Sequence, residues 1–587
     1  MSPLARSFAA ISTALLSAAA LAQGEPLAHR AVMPKHVANT LPIAPEQARI
    51  VVKLAEGRPE LVHGNAVRAE AVLRVVGARP IEPFFRGLTE QLATLRSRQL
   101  AAAGAGTPPV DLSLYFEVLA ANGDDARQLV PQLNALAEVE LAYARELPAP
   151  PPGDVPPTTP DFTAMQGYRA PSPSGFDALA IDATTGASGA AVRLLDVEWG
   201  WDFGHEDIAR LVATALVGPP IWNPTYNNHG LAAMGIVVAD ADEYGVSGTC
   251  PDVTLHLATD YPSTGYSVAT AIAVGLPLLQ AGDVMLLEAQ TSTPLGLGPT
   301  EWIQADFDAI LLATTLGITT VEPAGNGSVD LDSPSLGGLF QTAVRDSGAI
   351  MVGASNGGAF TRASFSSFGS RVDVNGWGAG VATTGYGALF HVAGTTTQDY
   401  TGGFNGTSSG SAIIASVVTA VRSAAAAQLA PASVAALDPL ALRTLFRNHG
   451  APIPTIGRRP DARAILTAAG ILRGLDVRAE PMLGQTCWLD LTAPPGATPA
   501  DLYALFGGPA AANAPLPAPF EPGSRLLVDL ASAAPFAFGT ISPVGYSIAV
   551  PNDPSLRGQS FYFQAVTIRT ATGDLIASNG ARVFLRR

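Results

Sequence analysis

The sequence predicts an α/β protein whose main domain is a doubly wound parallel sheet, preceded by a small α+β unit and followed by an all-β unit. Three observations favour this architecture. Short apolar runs alternate with helical stretches over residues 161–472, a proline-rich spacer precedes them, and alternating apolar and polar residues follow them. Short apolar runs of this kind suit strands that helices cover on both faces of a parallel sheet.

Length and composition limit the possible partners. The chain has 587 residues, which is too long for one hydrophobic core and predicts several folding units. With 48% hydrophobic and 14% charged residues, these units can bury large cores. The net charge of −15 argues against nucleic acid or an anionic membrane as a partner. We expect a monomer.

Residues 1–22 are predicted to be a secretory signal peptide. Arg6 supplies the positive charge, residues 8–19 form an apolar stretch too short to span a bilayer, and Ala20-Leu21-Ala22 is a cleavage site of the A-x-A type. We therefore expect the mature protein to be secreted, either to the extracellular space or to the periplasm. Cys250 and Cys487 could form one long-range disulfide or remain two separate buried thiols, and the sequence leaves both possibilities open.

The region before the main domain is predicted to be a β–α–β type unit over residues 48–146. Residues 49–55, 112–119 and 139–145 have strand patterns, and residues 125–136 have helical spacing. Residues 147–160 read LPAPPPGDVPPTTP and are predicted to form an extended linker. In an exported protein this arrangement fits either a removable prodomain or an ordinary accessory domain.

The main domain is predicted over residues 161–472. Its predicted strands are residues 190–197, 253–258, 283–288, 317–321 and 349–353. Its predicted helices are residues 229–238, 267–280 and 300–316. From about residue 473 to residue 587 the pattern is all-β, with turn signals at Gly573-Asp574 and Asn579-Gly580, and it predicts a small β-sandwich.

Four polar residues are predicted to meet at the carboxyl edge of the main sheet. Asp196 lies on the first strand, His229 opens a helix, Asn326 follows a strand in E322-P-A-G-N-G327, and Ser408 lies in G406-T-S-S-G410 before a helix of small residues. A serine hydroxyl needs a base to take its proton and an acid to orient that base. Ser408, His229 and Asp196 fit these roles, and Asn326 fits that of an oxyanion donor.

The order Asp, His, Asn, Ser resembles that of the subtilisin-like serine peptidases, or subtilases. Residues 194–196 with 205–208, residues 229–236, residues 323–327 and residues 406–412 resemble the family's four sequence blocks. The resemblance implies a subtilisin-like fold and hydrolysis of polypeptides through an acyl-enzyme, with no cofactor needed for the chemistry. It also favours the interpretation of residues 48–146 as the protein's own inhibitory, chaperone-like prodomain.

The sequence departs from the family pattern near two of these blocks. The family has a small residue and a glycine after its aspartate, whereas Val197 and Glu198 follow Asp196 here. The segment that resembles the family's substrate-binding strand contains Glu288 and Gln290 where a serine–leucine–glycine run is expected. We interpret Glu288 and Gln290 as candidate substrate-binding residues. Glu198 and Glu288 could favour basic substrate side chains, could titrate at unusually high pH, or could be structural.

Three further possibilities follow from the sequence. Calcium often accompanies the family, and the acidic loops at residues 240–243 and 330–332 could bind it, but neither has a recognisable ligand pattern. G406-T-S-S-G410 also fits the nucleophile motif of α/β-hydrolase esterases, with Asp438 and His449 as partners. A catalytically weak binding protein on a subtilase fold is the third possibility.

Overall fold

The computed structural model describes most of the chain between residues 32 and 585. The described residues are 32–41, 43, 48–63, 66–102, 110–145, 159–242, 244–477, 483–494, 497–498, 501–516, 520, 525–529, 533–540, 544–553, 556, 559–571 and 575–585. The predicted signal peptide, residues 1–22, and most of the predicted linker, residues 147–160, lie outside this set.

The N-terminal unit contains a four-stranded antiparallel sheet. Its elements are α1 (Lys35–Ala38), β1 (Arg49–Leu54), β2 (Val62–His63), β3 (Ala66–Val67), α2 (Glu70–Val76), β4 (Ile81–Pro83), α3 (Thr89–Ala102), β5 (Tyr115–Leu119), α4 (Gly123–Asn134) and β6 (Val139–Ala144). The strand order is β4-β5-β1-β6. Alternate residues of β1 face opposite sides, so that Ile50 and Val52 pack with Leu129 and Leu133 of α4.

The main domain is built on a nine-stranded sheet. Its elements are α5 (Ala178–Asp182), β7 (Arg193–Glu198), β8 (Leu216–Val217), α6 (Asn227–Val238), β9 (Thr254–Thr259), α7 (Val268–Gly275), β10 (Val284–Leu287), β11 (Gln290–Thr293), β12 (Gly296–Pro299), α8 (Gln304–Thr315), β13 (Thr319–Pro323), β14 (Ile350–Ser355), β15 (Val374–Trp377), β16 (Val381–Thr384), β17 (Tyr400–Phe404), α9 (Gly406–Gln428), α10 (Pro431–Ala436), α11 (Pro439–Asn448), β18 (Gly450–Pro452), β19 (Arg458–Pro460) and α12 (Ala462–Ala468). The sheet order is β18-β19-β15-β14-β13-β10-β7-β9-β8.

All neighbouring strands of this sheet are parallel except β18, which pairs antiparallel with β19 at one edge. The prediction of an α/β fold with a parallel-rich sheet is therefore confirmed. Strand β7 lies between β9 and β10, and β10 lies between β7 and β13. Because these strands run in the same direction, their carboxyl ends come together at one edge, where ligands bind in such folds.

Helices cover both faces of the main sheet. Leu194 of β7 and Leu286 of β10 belong to a cluster that includes α6 and α9, whereas Leu195 and Met285 belong to a second cluster that includes α7 and α8. This burial on both faces explains why the strands read as continuous apolar runs. Helix α9, with 23 residues, is long and apolar enough to cross a bilayer, but its most apolar stretch is 89% buried inside the main domain.

The N-terminal unit packs against the α7 and α8 side of the main domain. Val51 and Tyr143 share a hydrophobic cluster with Trp302 and Phe307. At the same contact, the hydroxyl of Tyr115 donates a hydrogen bond to the buried carboxylate of Asp308 in α8.

Arg145, the last described residue before the predicted linker, adds a second polar contact. Its guanidinium donates hydrogen bonds of 2.6 Å to the backbone carbonyls of Gly265 and Tyr266. The N-terminal unit is thus joined to the main domain by both apolar and polar contacts.

The described strands after residue 474 pair antiparallel. They are β20 (Leu475–Val477), β21 (Thr486–Leu491), β22 (Leu502–Gly508), β23 (Ala511–Pro515), β24 (Arg525–Val528), β25 (Ala534–Thr540), β26 (Val544–Ala549), β27 (Ser560–Ile568), β28 (Leu575–Ala577) and β29 (Ala581–Phe584). Cys487 lies in the core of this region and Cys250 in the core of the main domain, and both thiols are free.

Candidate active site

Ser408 is the third residue of α9 and is nearly buried, with 7% of its surface exposed. The helix begins at Gly406, whose φ of 99° lies in the left-handed region that favours glycine. A side chain at position 406 would also lie 3.2 Å from the Asn326 amide. The first backbone N–H groups of a helix have no partner within it, so Ser408 lies where negative charge is stabilised.

The side chain of Asn326 is oriented by Thr407. Its Oδ1 accepts hydrogen bonds from the backbone N of Thr407 at 2.8 Å and from Thr407 Oγ1 at 3.0 Å. A backbone N–H can only donate, so the amide oxygen must face Thr407 and the NH₂ group faces away from it. Thr407 Oγ1 also accepts a hydrogen bond from Gly325 N, which ties the Asn326 loop to the start of α9.

His229 lies in the first turn of α6, and its Nδ1 contacts Oε2 of Glu198, the last residue of β7. The other oxygen of Glu198 accepts a hydrogen bond from Trp199 N at 2.7 Å. Both oxygens of this nearly buried carboxylate are therefore occupied, one by the imidazole and one by the backbone. The contact orients the His229 ring and leaves its Nε2 for other chemistry.

We predicted Asp196 as the partner of His229, but the carboxylate that contacts His229 Nδ1 in the structure is that of Glu198. Asp196 is fully buried, and its Oδ2 accepts a hydrogen bond from Trp201 Nε1 at 2.7 Å. Side chains two positions apart on a strand point to the same face, so Asp196 and Glu198 share a face but only Glu198 is at the sheet edge. Burial, followed by the nearby charge of Glu198, raises the pKa of Asp196 well above its usual range. Asp196 thus lies in the core, where its surroundings disfavour the charged form.

A signal for Glu198 is present in the sequence. The family pattern places a glycine two positions after the acid, and Gly200 stands two positions after Glu198. The structure gives this glycine a physical reason, because a Cβ at position 200 would lie 2.3 Å from Oδ1 of Asn227 at the start of α6. We matched the pattern to Asp196, which lies two residues before the acid that contacts His229.

Glu288 follows β10 directly, and its backbone N donates a hydrogen bond to Val197 O at 3.0 Å. This register sets Glu288 beside Glu198 at the same edge. Its side chain is buried, and neither carboxyl oxygen makes a hydrogen bond of good geometry with any described residue. Burial, then the charges of Glu198 and Asp196, raise the pKa of Glu288 well above its usual range, and the nearby Ser408 hydroxyl opposes that rise.

Gln290 has a different role from the one we expected. Its Oε1 accepts a hydrogen bond from the backbone N of Asn326 at 2.9 Å. The side chain that we predicted to bind substrate is therefore engaged in holding the loop that carries the oxyanion candidate. Gln290 positions Asn326, while its role toward a substrate stays a prediction.

These contacts bring His229, Asn326, Ser408 and Glu288 to one edge of the sheet, whereas Asp196 lies deeper in the core. Asn326 bonds to the residue before Ser408, Glu288 approaches Ser408, and the ring of His229 lies 5.4 Å from that of Phe404, just before α9. Within the described part of the chain, no hydrogen bond joins His229 to Ser408. Catalytic hydrogen bonds are often long in a free enzyme and shorten when substrate binds.

The two acidic loops considered for calcium use their oxygens internally. Asp332 accepts hydrogen bonds from the backbone and hydroxyl of Ser370, and Asp240 accepts one from Ala209 N. The described residues contain no group of three or more acidic, histidine or cysteine side chains that could hold a metal ion. Calcium binding therefore stays a prediction without structural support here.

Comparison with known proteins agrees with this geometry. Residues 217–449, which include His229, Asn326 and Ser408, match the family model Peptidase_S8, described as the subtilase family. This part of the chain is therefore similar to the subtilases. The matched range begins after Glu198, so it does not include the carboxylate that contacts His229.

Curated subtilisins are similar over the same length of chain. Subtilisin amylosacchariticus of Bacillus subtilis subsp. amylosacchariticus and subtilisin J of Geobacillus stearothermophilus are both 26% identical over 225 residues, which are 38% of this chain and 53% of each relative. Subtilisin of Bacillus pumilus is 26% identical over 225 residues, covering 74% of that relative. The chain thus spans about half the length of the first two relatives.

Among solved structures, the MycP3 protease from the type VII (ESX-3) secretion system has 17% sequence identity and a TM-score of 0.35. The superposition covers 55% of this chain and 98% of that protease.

Proposed function

We propose that this protein is a serine endopeptidase that cleaves polypeptides with a triad of Ser408, His229 and Glu198. The contact between His229 Nδ1 and Glu198 carries the proposal. An ionised carboxylate can only accept hydrogen bonds, so this contact holds the imidazole proton on Nδ1 and leaves Nε2 as a proton acceptor. This is the tautomer that a serine nucleophile needs in its general base.

In the proposed reaction, Ser408 Oγ attacks the carbonyl carbon of the scissile peptide bond while His229 Nε2 takes the hydroxyl proton. Glu198 stabilises the imidazolium that forms. The oxyanion is stabilised by the NH₂ group of Asn326 and by the backbone N–H of Ser408. His229 then passes its proton to the leaving amine, and water hydrolyses the acyl-enzyme by the same steps in reverse. These steps use no cofactor.

A fluorophosphonate probe, which reacts with activated serines, tests the nucleophile directly. We expect the wild type to be labelled at Ser408 and Ser408→Ala to be unlabelled while keeping the wild-type melting temperature. Digestion of a peptide library then tests for peptidase activity and reports the cleavage preference. A folded wild-type protein that neither reacts with the probe nor cleaves any peptide would contradict the proposal.

Two observations favour a second candidate, a catalytically weak binding protein on the subtilase fold. No hydrogen bond joins His229 and Ser408 within the described residues, and a buried acid lies beside the serine. The same labelling experiment separates the two candidates, because a binding protein would leave the probe unreacted. The acid and the histidine that the esterase alternative needs have other contacts. Asp438 caps α11 by accepting a hydrogen bond from Ala441 N, and His449 Nδ1 contacts Leu445 O.

We further propose that the protein is exported and made as a zymogen, with residues 48–146 acting as a removable inhibitor and folding aid. The support is the predicted signal peptide and the packing of the N-terminal unit on α7 and α8. Purified Ser408→Ala would then retain residues 48–146, because self-cleavage needs the nucleophile. Normal processing of that variant would show that another peptidase performs the cut.

A further inference from the structure

Two acids lie side by side at the edge of the main sheet. Glu198 ends β7 and Glu288 follows β10, and the hydrogen bond from Glu288 N to Val197 O sets these neighbouring strands in register. Both carboxyl oxygens of Glu198 have partners, because one contacts His229 Nδ1 and the other accepts a hydrogen bond from Trp199 N. Glu288 is buried with 7% exposure, and neither of its oxygens has a well-formed partner among the described residues.

The surroundings of Glu288 favour its neutral form. Asp196 and Glu198 face it from β7, Tyr386 faces it from the segment after β16, and Ser408 faces it from α9. His229 reaches this group of side chains through Glu198. The described groups that shift the pKa of Glu288 are all acids apart from the Ser408 hydroxyl, and burial is the largest cause of the rise. Two adjacent buried carboxyls cannot readily both be charged.

We propose that Glu288 positions the nucleophile through its own proton: neutral Glu288 leaves the Ser408 hydroxyl to His229, and charged Glu288 captures that hydroxyl as a hydrogen-bond acceptor. The inference rests on the proposed function. A hydroxyl carries one hydrogen, so it donates to one acceptor at a time. A carboxylate is a stronger acceptor than a neutral acid, so loss of the Glu288 proton turns the hydroxyl away from His229.

A second effect acts in the same direction. A negative charge at Glu288 lies close to the nucleophile, where the transition state itself develops negative charge on the substrate oxygen. Repulsion between the two charges opposes the stabilisation by Asn326. Ionisation of Glu288 therefore slows the attack of Ser408 on the substrate even when the Ser408 hydroxyl is hydrogen-bonded to His229.

The test is the rate of fluorophosphonate labelling at Ser408 as a function of pH, in the wild type and in Glu288→Gln. We expect the wild-type rate to fall at high pH. In Glu288→Gln the fall disappears or moves up by at least one pH unit. Glu288→Ser, with a short side chain, gives the same result if the glutamine variant folds poorly.

Glu322→Gln is the matched control. Glu322 is a fully buried acid on β13 whose pKa is also raised by burial, but its Oε1 accepts a hydrogen bond from Glu301 N, away from Ser408. We expect this variant to keep the wild-type fall in labelling at high pH. Loss of the fall in both variants would show a general effect of buried charge and would overturn the role of Glu288.

Two other results would also overturn the inference. A wild-type rate that stays flat to alkaline pH contradicts it without any variant. A folded Glu288→Gln that is unlabelled at every pH would instead make Glu288 an essential part of the machinery. Failure of the proposed function is distinct, because then the wild type is unlabelled at all pH values.

Discussion

The carboxylate of Glu198 contacts Nδ1 of His229, whereas Asp196, two residues earlier on the same strand, accepts a hydrogen bond from Trp201 Nε1 at 2.7 Å. The two acids point to the same face of β7 and are separated along it by roughly 6.6 Å, the length of two strand residues. Glu198 therefore lies at the sheet edge, where it contacts His229, whereas Asp196 lies in the core.

The first prediction concerns this pair of acids. Glu198→Gln keeps the shape of the side chain but removes its charge and allows the wrong imidazole tautomer. We expect the rate of Ser408 labelling and the kcat for peptides to fall by about 10⁴-fold, as for the equivalent change in other serine triads. The melting temperature reports whether the fold is kept.

Asp196→Asn is the matched comparison on the same strand. The asparagine side chain can still accept the Trp201 hydrogen bond and Asp196 does not contact His229, so we expect activity within about tenfold of the wild type. Should Asp196→Asn abolish activity while Glu198→Gln leaves it intact, the assignment of the triad acid would be reversed.

The second prediction concerns the oxyanion site. Asn326→Ala removes one donor and is expected to lower kcat by about 10²–10³-fold with little change in KM. Gln290→Leu removes the acceptor for the backbone N–H of Asn326. The side-chain NH₂ of Asn326 remains, but the loop that carries it is held less firmly. The expected loss of kcat for this variant is about tenfold, from the cost of one buried unpaired N–H. Gln290→Glu keeps an acceptor oxygen and is expected to recover most of that loss. A larger effect for Gln290→Leu than for Asn326→Ala would refute this ranking.

The third prediction concerns the close approach of α6 to the loop after β7. A Cβ at Gly230 would lie 2.4 Å from Gly200 O and 2.6 Å from Cδ1 of Trp201. Gly230→Ala must therefore push the helix away and draw His229 from Glu198. We expect about 10² less activity, since a displacement near 1 Å has that effect in catalytic sites.

Gly402→Ala serves as the control for this glycine. Its Cβ would meet only Cε of Met165 at 3.8 Å, an ordinary contact, so wild-type activity is expected. Peptide hydrolysis at saturating substrate and the melting temperature measure both variants. Equal activities for the two alanine variants would show that the separation of α6 from the loop is not limiting.

The fourth prediction concerns stability and pH. Asp306 is a buried acid in the first turn of α8, and burial raises its pKa from 3.8 to about 7 although Thr300 and Ala269 N donate hydrogen bonds to it. Because its pKa is higher in the folded state, Asp306 makes its full contribution to the free energy of unfolding below pH ~4. This contribution is lost as the pH rises through ~7. The difference amounts to about 4 kcal/mol at most.

Asp306→Asn removes this titration while keeping the acceptor for Ala269 N. The wild type loses unfolding free energy as the pH rises from ~4 to ~7, and the variant does not. We therefore expect Asp306→Asn to become more stable relative to the wild type over this range. Urea denaturation at a series of pH values measures this difference. A difference that does not change with pH would show that Asp306 keeps a normal pKa in the folded protein.

Much of the architecture could be predicted because the signals are local. The apolar runs of β7, β10, β13 and β14 reflect burial on both faces, and a run of that kind needs no knowledge of distant residues. His229, Asn326 and Ser408 were found because each stands at the end of a strand or the start of a helix, within a recognisable pattern.

The contact between Glu198 and His229 was not predicted because it depends on depth within a strand. Asp196 and Glu198 have the same parity, and a sequence alone does not show which residue of β7 is the last one covered by α6 and α9. The contact of Gln290 with the Asn326 loop was not predicted for a related reason. Its contact with Asn326 N joins two loops that are 36 residues apart, and no local pattern reports such a contact.

The shared core of the N-terminal unit and the main domain affects what happens when the chain between them is cut. Val51 and Tyr143 on one side, and Trp302 and Phe307 on the other, bury one another, and Tyr115 bonds to Asp308 across the same contact. Cutting the chain between Arg145 and Thr159 would leave all of these contacts in place. The nicked molecule would migrate as one species under native conditions and as two bands after boiling in detergent. The moment of release would then be decided by how long the smaller fragment resists unfolding and degradation, and not by when the first bond is cut.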